Sequence, residues 1–178
     1  MMLTLRGAPT LYYGDEQGFS GDGGDQDARE DMFGSKGASY NDNRLVGTDA
    51  TTATARFDPT HPLYRTIATL ARLRTAHPAL RRGKQTIRAR SEEPGLFAVW
   101  RFDPDSGAEY LIAFNTSTAP IDTHVQVDVG SRDFVTLAGA PCAARAVAPG
   151  SLSLRLPPLG YSLCAVRPSR SLPAKSPE

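Results

Sequence analysis

The second half of the chain alternates between apolar and polar residues with the period of two that marks β-strands. The clearest case is residues 121–129, where Ile, Thr and Val alternate with Asp, His and Gln, and residues 151–156 repeat the pattern with Leu. Further β-prone runs lie at residues 85–90, 96–102, 109–115, 133–137 and 161–166. Turn-forming residues separate these runs, so residues 81–166 predict a small antiparallel β-sandwich.

A helical period appears over residues 61–77, just before the strands. Leu63, Ile67 and Leu70 form one apolar stripe, and Pro78 ends the pattern. Arg74 falls on the apolar side of this helix. Either its stem lies along the core while its head bonds the last helical carbonyls, or the guanidinium is partly buried against a carboxylate on a facing element.

The N-terminal part has little periodicity. Residues 1–6 are helix-compatible, Gly7 suits a left-handed position after a helix, and Pro9 cannot continue one. A short β-prone run at residues 10–13 precedes a loop, residues 14–58, that is rich in Gly, Asp, Asn, Ser and Thr. A helix end followed by a short apolar strand is typical of the edge of an α/β unit. The expected class is therefore α+β, mainly β, with a disordered tail at residues 167–178.

Composition excludes several classes of protein. Among 178 residues, 20 basic and 19 acidic side chains leave a net charge of +1, so no nucleic-acid or membrane-surface partner is expected. No apolar run approaches the roughly 20 residues that span a bilayer, and the first residues carry no export signal, so we expect a cytoplasmic location. Cys142 and Cys164 are too few for a disulfide framework or a four-ligand zinc site, and we expect two buried thiols.

Local clusters of polar residues offer few sites of their own. No cofactor is expected; the alternative is a calcium ion at Asp22, Asp25 and Asp27, whose spacing does not fit the EF-hand loop. The three histidines, at 61, 77 and 124, are far apart in sequence, so we expect helix-end and strand-surface roles for them. The acidic residues of the loop offer many pairs but no fixed geometry, which disfavours an independent acid/base site.

One segment carries a recognisable motif. Residues 7–16, GAPTLYYGDE, resemble the eighth-strand motif of the alpha-amylase family, glycoside hydrolase family 13, with Gly7, Pro9, Gly14 and Glu16 at its four named positions. The following GFSGDGGDQDAREDMF resembles the loop after that strand in a bacterial branch of the family. LRTAHPAL, which contains Arg74, resembles the end of the helix that leads out of the barrel.

The resemblance implies a domain organisation. Residues 1–80 would be the C-terminal end of a (β/α)8 barrel, with a strand at 10–13, a loop at 14–58 and a helix at 61–77. Residues 81–166 would be the antiparallel sandwich that follows the barrel in this family. Because loops after barrel strands surround the active site, Tyr13, Asp15, Arg29 and Asp31 are expected to bind substrate. Glu16 is expected to be a structural acceptor that ties the loop to the barrel rim.

The resemblance also implies an activity, that of a retaining glycoside hydrolase or transglycosidase acting on an α-glucan or malto-oligosaccharide. Such enzymes use a nucleophilic Asp, a Glu acid/base and a second Asp, all on earlier barrel strands. None of the three matches a position in this chain, so we expect a fragment without catalytic residues that is inactive alone. The alternatives are a stand-alone carbohydrate-binding sandwich and a structural sandwich that pairs with a separately encoded barrel half. An exposed Trp100 would favour the binding sandwich, but Ala98, Trp100 and Phe102 share one strand face, which predicts a core position for Trp100.

Overall fold

The protein is described by a computed structural model over residues 1–54 and 57–168. Within these residues two short 3-10 helices, Asp15–Gln17 and Ala38–Tyr40, precede the regular elements. The α-helices are α1 (Pro62–Ala76) and α2 (Ala79–Arg82). The strands are β1 (Lys84–Arg90), β2 (Leu96–Phe102), β3 (Glu109–Asn115), β4 (Ile121–Gln126), β5 (Phe134–Gly139), β6 (Ser151–Leu156) and β7 (Tyr161–Val166).

The strands form two antiparallel sheets, as their alternation predicts. One sheet has five strands in the order β1-β2-β3-β7-β5, and the other pairs β4 with β6. The observed strands lie within a few residues of the expected ones, and the largest difference is that β4 ends at Gln126. The mainly β fold class is confirmed.

The hydrophobic core lies on both faces of the five-stranded sheet. On one face, Trp100 and Leu111 pack with Val125 and Leu154 of the two-stranded sheet, which makes the sandwich. On the other face, a second cluster joins strand residues such as Ile112 to Leu80 of α2. Side chains at successive strand positions therefore serve different layers, as the period of two requires.

Trp100 belongs to this core and is only 4% exposed. Arg88 lies over its ring, with the guanidinium carbon 5.5 Å from the ring centroid. Tyr110, a second aromatic residue of the sandwich, is also buried. An exposed Trp100 platform, on which the carbohydrate-binding alternative depends, is therefore absent.

The chain divides into two compact units. The sandwich unit comprises Met1, Leu3–Gly7 and Leu73–Glu178, and the loop unit comprises Met2 and Ala8–Arg72. The units divide within α1, between Arg72 and Leu73, whereas the boundary that the resemblance implies lies at residues 80 and 81 and stays a prediction. The helix itself agrees with the expected residues 61–77 to within one residue at each end.

Residues 10–13 do not form the expected strand. They are irregular, and a turn begins at Tyr13. A strand needs a neighbour to bond its backbone groups, and no named strand of the described chain pairs with this segment. The expected disordered tail lies mostly outside the described residues; Arg167 donates its backbone N–H to Asp133.

The two cysteines form a disulfide, so the prediction of two free thiols is wrong. Cys142, in the loop after β5, is joined to Cys164 at the centre of β7, with a sequence separation of 22. An isolated bridge also pairs Cys142 with Leu154 of β6. The strand pattern places Cys164 in the core but gives no register for the irregular segment that carries Cys142.

No helix within the described residues is long and apolar enough to cross a membrane.

Candidate functional site

A small cleft in the loop unit brings together residues that are distant from one another in the polar loop. Its cavity volume is about 200 Å³. The residues that line it include Tyr12, Tyr13, Asp15, Phe19, Ser20 and Glu30. Two of the four expected substrate-binding residues, Tyr13 and Asp15, therefore share one cavity.

The tight turn at Gly14 builds one wall of the cleft. Gly14 has a φ of +91°, which favours glycine, and an added Cβ would come within 3.0 Å of the Phe19 side chain. The Asp15 carboxylate accepts the backbone N–H of Tyr12 at 2.9 Å. This bond turns the chain back on itself and leaves both tyrosine side chains exposed.

Tyr12 and Tyr13 form an aromatic pair, with ring centroids 4.3 Å apart. The pKa of the Tyr13 phenol is raised, first by a side-chain hydrogen bond with Tyr12 and then by desolvation. The nearby charges of Asp31 and Arg29 also act on this pKa, Asp31 raising it and Arg29 lowering it. Arg29 and Asp31, the other two expected substrate-binding residues, do not line the cleft, and their effect on the pKa of Tyr13 is what connects them with it.

Arg29 is already paired within its own loop. Its guanidinium donates to the Asp25 carboxylate at 2.6 Å, four residues earlier, and both side chains are mostly exposed. An exposed pair of this kind contributes only about 0–1 kcal/mol to stability. It therefore orients Arg29 more than it stabilises the fold.

Glu30 is a cleft residue that the sequence did not single out. It is only 3% exposed, and one carboxylate oxygen accepts the side-chain amide of Asn43. The other oxygen, Oε2, is buried and has no partner within the described residues. A carboxylate in an acidic stretch gives no sequence signal of burial, because its burial here depends on Asn43, which comes later in the loop.

The loop is tied down by Gln17, where the sequence suggested its neighbour Glu16. The buried Gln17 side chain donates to the backbone oxygen of Asp58 at 3.2 Å and accepts its N–H at 3.0 Å. The Glu16 carboxylate makes no hydrogen bond or ion pair within the described part of the chain. Its role as an acceptor at the barrel rim stays a prediction.

The remaining motif residues lie in the sandwich unit or next to it. Gly7 has a φ of +131°, in the range that favours glycine. Its carbonyl accepts a bond from Arg74. Arg74 bonds backbone carbonyls outside its own helix, which differs from both sequence interpretations: none of these acceptors lies in α1, and no carboxylate bonds it among the described residues. Pro9 lies in irregular backbone just after the crossing between the units.

The three histidines lie where the sequence predicts them, two beside helix ends and one on a strand surface. His61 is buried, and its Nδ1 accepts the backbone N–H of Leu63 in the first turn of α1. His77 Nδ1 lies 2.9 Å from the hydroxyl of Tyr110. His124 is exposed on β4. Within the described ranges, no group of three His, Cys, Asp or Glu residues could hold a metal ion, and Asp25, one of the three residues of the alternative calcium site, is paired with Arg29.

Larger clefts occur on the sandwich unit but lack this chemistry. One of about 560 Å³ is mainly apolar and includes Pro120, Pro141 and Pro157, and one of about 380 Å³ lies beside Arg145. Neither contains an aromatic residue. The cleft in the loop unit is smaller, yet it combines aromatic rings with carboxylates, so we take it as the candidate site.

Comparison with known proteins points to one group of enzymes. The chain is 50% identical over 117 residues to an alpha-amylase of Streptomyces lividans, a match that covers 66% of this chain and 13% of the relative. It is 38% identical over 94 residues to the alpha-amylase SusG of Bacteroides thetaiotaomicron, which covers 48% of this chain and again 13% of the relative. The chain thus spans about an eighth of the length of these curated relatives.

A solved structure agrees with the fold. The debranching enzyme of Nostoc punctiforme superposes with a TM-score of 0.60 over 93% of this chain and 29% of that enzyme, at 23% sequence identity. At this identity the likeness concerns the fold alone. No protein-family profile matches the chain.

Proposed function

Because this chain is a member of the alpha-amylase family, glycoside hydrolase family 13, and represents a C-terminal portion of such a protein, we propose that it supplies the substrate loop at the barrel rim and the C-terminal domain of an α-glucan-active enzyme. The complete enzyme is a retaining glycoside hydrolase or transglycosidase. Its substrate is an α-glucan or malto-oligosaccharide. Residues 1–80 are the end of its (β/α)8 barrel.

The candidate cleft is the observation that carries this proposal. It places Tyr13 and Asp15 together with Tyr12 and Glu30, and Arg29 and Asp31 act on Tyr13. A sugar ring has an apolar face that packs on aromatic side chains and hydroxyl groups that donate to carboxylates. The cleft offers both, at the loop that would follow the eighth barrel strand, where barrel enzymes build their sites.

The chemical step belongs to residues outside the chain. Retention requires a nucleophilic carboxylate and an acid/base carboxyl about 5–5.5 Å apart. Asp15 is engaged by a backbone N–H and Glu30 by Asn43, so each has a binding or structural contact in the cleft. We therefore assign this chain to substrate binding and expect no cleavage by it alone.

The partner of the loop unit is the rest of the barrel, encoded upstream in the same protein or as a separate half. The described part of the loop unit exposes eight large apolar side chains: Met2, Leu11, Tyr12, Tyr13, Phe33, Val46, Phe57 and Tyr64. Such a concentration marks a surface that another part of a protein covers. A cytoplasmic location, expected from the sequence, remains a proposal that the state of the disulfide can test, because disulfides persist in oxidising compartments.

Sugar binding tests the proposed function directly. We expect maltotriose to shift the NMR signals of the cleft residues in this chain, and the shifts to disappear in Tyr13→Ala and Asp31→Ala. Tyr64→Ala is the matched control, because Tyr64 is an exposed tyrosine of the same unit outside the cleft. Shifts confined to the sandwich, or equal binding by all variants, would contradict the proposal.

The coding sequence upstream of Met1 shows whether the rest of the barrel belongs to the same protein or to a separate polypeptide. If the upstream sequence continues in frame and encodes the three catalytic carboxylates, we expect the extended protein to release sugar from maltoheptaose and this chain not to do so. If the carboxylates are encoded separately, the two polypeptides together are expected to be active. Activity of this chain by itself would overturn the assignment.

A further inference from the structure

The side chain of Arg74 bonds the backbone at two places that are far apart in sequence. Its Nη1 donates to the carbonyl of Leu80 at 2.6 Å and to those of Leu3 and Leu5 at 3.2 and 3.4 Å. Its Nη2 donates to the carbonyl of Gly7 at 2.6 Å. Three of these four acceptors belong to one short segment, Leu3–Gly7, so the guanidinium holds that segment by its backbone.

A second contact holds the same segment through Gln85 on β1. The side-chain oxygen of Gln85 accepts the backbone N–H of Arg6 at 2.8 Å and a guanidinium N–H of Arg101 at 3.0 Å. Arg101 is fully buried and donates twice to the carbonyl of Ala79, at 2.6 and 3.0 Å. Leu5 packs against the core cluster on this face of the sheet. The segment is therefore fixed by polar groups on either side of one apolar anchor.

This arrangement contains cations but no paired carboxylate. Within the described residues, Arg74 and Arg101 bond only carbonyl oxygens and the Gln85 amide. Burial lowers the pKa of Arg101, and the neighbouring charges of Arg74 and Arg6 lower it further. Without an opposite charge to bind, the contacts depend on the geometry of the planar guanidinium, which presents five N–H donors in a rigid fork that a lysine lacks.

Arg74 lies close to the point where the chain re-enters the sandwich unit. The chain leaves the sandwich unit after Gly7 and returns to it at Leu73. Arg74 follows the return by one residue, and its Nη2 bonds the last residue before the departure. The two points at which the chain passes between the units are thus joined by one side chain within the sandwich unit.

We propose that Arg74 is a positioning residue that clamps Leu3–Gly7 to the sandwich unit and so keeps the two ends of the loop unit together. The clamp holds these ends when the loop unit opens locally, and it fixes the start of the segment that leads into the candidate site. Closing a long loop at its base costs conformational entropy, which the clamp offsets in the folded state. The inference does not depend on the proposed sugar chemistry.

Amide hydrogen exchange of the full chain tests the clamp. In Arg74→Ala and Arg74→Lys, we expect residues 3–7 to exchange about tenfold faster or more, because alanine has no donor and the lysine ammonium lacks the planar fork that bonds these carbonyls. Amides of β2, β3 and β7 should keep their wild-type protection. Arg72→Ala is the matched control, because Arg72 is an exposed arginine on the same helix whose side chain has, among the described residues, one long hydrogen bond, to Thr69 at 3.5 Å.

Two further measurements separate a clamp from a general stabilising role. Ethylguanidinium should restore protection of residues 3–7 in Arg74→Ala, whereas ethylammonium should not. Gln85→Ala, which leaves all four Arg74 bonds in place, should expose the amide of Arg6 while β7 stays protected. The proposal fails if Arg74→Lys protects the segment as well as arginine does, or if any of these variants loses protection evenly across the strands.

Discussion

The sandwich unit and the loop unit are stabilised by different kinds of interaction. The sandwich unit has two sheets and two apolar clusters, and its fully buried side chains include Leu111, Ile112 and Leu154. In the described part of the loop unit, the buried side chains of polar residues outnumber the large apolar ones. The polar ones are Gln17, Glu30, Thr52 and His61, and the apolar ones are Leu45 and Leu70.

This difference separates a domain that buries its own surface from one that needs a partner. Hydrophobic burial contributes about 25 cal/mol per Å², and the sandwich unit gains it from both faces of its larger sheet. The loop unit relies on side-chain to backbone bonds such as those between Gln17 and Asp58, each with a net contribution of only about 0.5–1.5 kcal/mol. We therefore expect one cooperative unfolding transition from the sandwich and local opening in the loop unit.

Truncation of a core side chain should give the largest effect. Ile112→Ala removes a fully buried side chain from β3 and is expected to lower the free energy of unfolding by about 2–5 kcal/mol. Phe33→Ala in the loop unit, where the ring is 65% exposed, should change it by no more than about 0.5 kcal/mol. Urea denaturation followed by circular dichroism measures both. Equal losses would show that the two units unfold together and would break the comparison.

Removal of the disulfide should give the second-largest loss of stability. Cys142→Ala with Cys164→Ala should destabilise the sandwich by about 3 kcal/mol, because the unfolded chain is no longer closed across a separation of 22 residues. Amide exchange in the loop unit should stay as in the wild type. The wild-type protein with a reductant is the control and should lose the same stability. Two free thiols in the native protein without reductant would contradict the bond.

The sequence predicts the sandwich well because one local rule governs it. Alternation places Trp100 in the core and indicates the ends of most strands, since successive side chains point to opposite faces of a sheet and the apolar face must be the covered one. Alternation does not predict the disulfide, because Cys142 lies in an irregular segment. The pairing of Cys142 with Cys164 depends on how that segment crosses the sheets.

The candidate site is predictable only through the resemblance. The motif singles out Tyr13 and Asp15, and the cleft contains both. Glu30 and Gln17 could not be predicted in this way, because each is fixed by a residue later in the chain, Asn43 and Asp58 respectively, and no periodicity connects the partners. Residues 10–13 show the converse case, since a β-prone run becomes a strand only where a neighbour bonds its backbone.

The smallest expected effect is a pH dependence that belongs to the sandwich unit alone. His77 follows α1, and its Nδ1 lies 2.9 Å from the Tyr110 hydroxyl. Desolvation by burial lowers the pKa of His77 below its ordinary value of 6.5. At pH values between the folded and the unfolded pKa, the unfolded chain binds the proton more readily. The contribution of His77 to stability is therefore fully present above about pH 6.5 and is lost as the pH falls below that value.

A comparison of variants isolates this contribution from the carboxylates, which also titrate in acid. The free energy of unfolding measured from pH 8 to pH 5 should fall less steeply below pH 6.5 in His77→Gln than in the wild type. His124→Gln, which changes an exposed histidine on β4, should follow the wild-type curve. If His77→Gln follows it as well, then proton uptake at His77 does not oppose folding. Amide hydrogen exchange tests the comparison at the same pH values. If the amides of the loop unit lose protection together with those of the sandwich below pH 6.5, the two units unfold in one transition and are not independent.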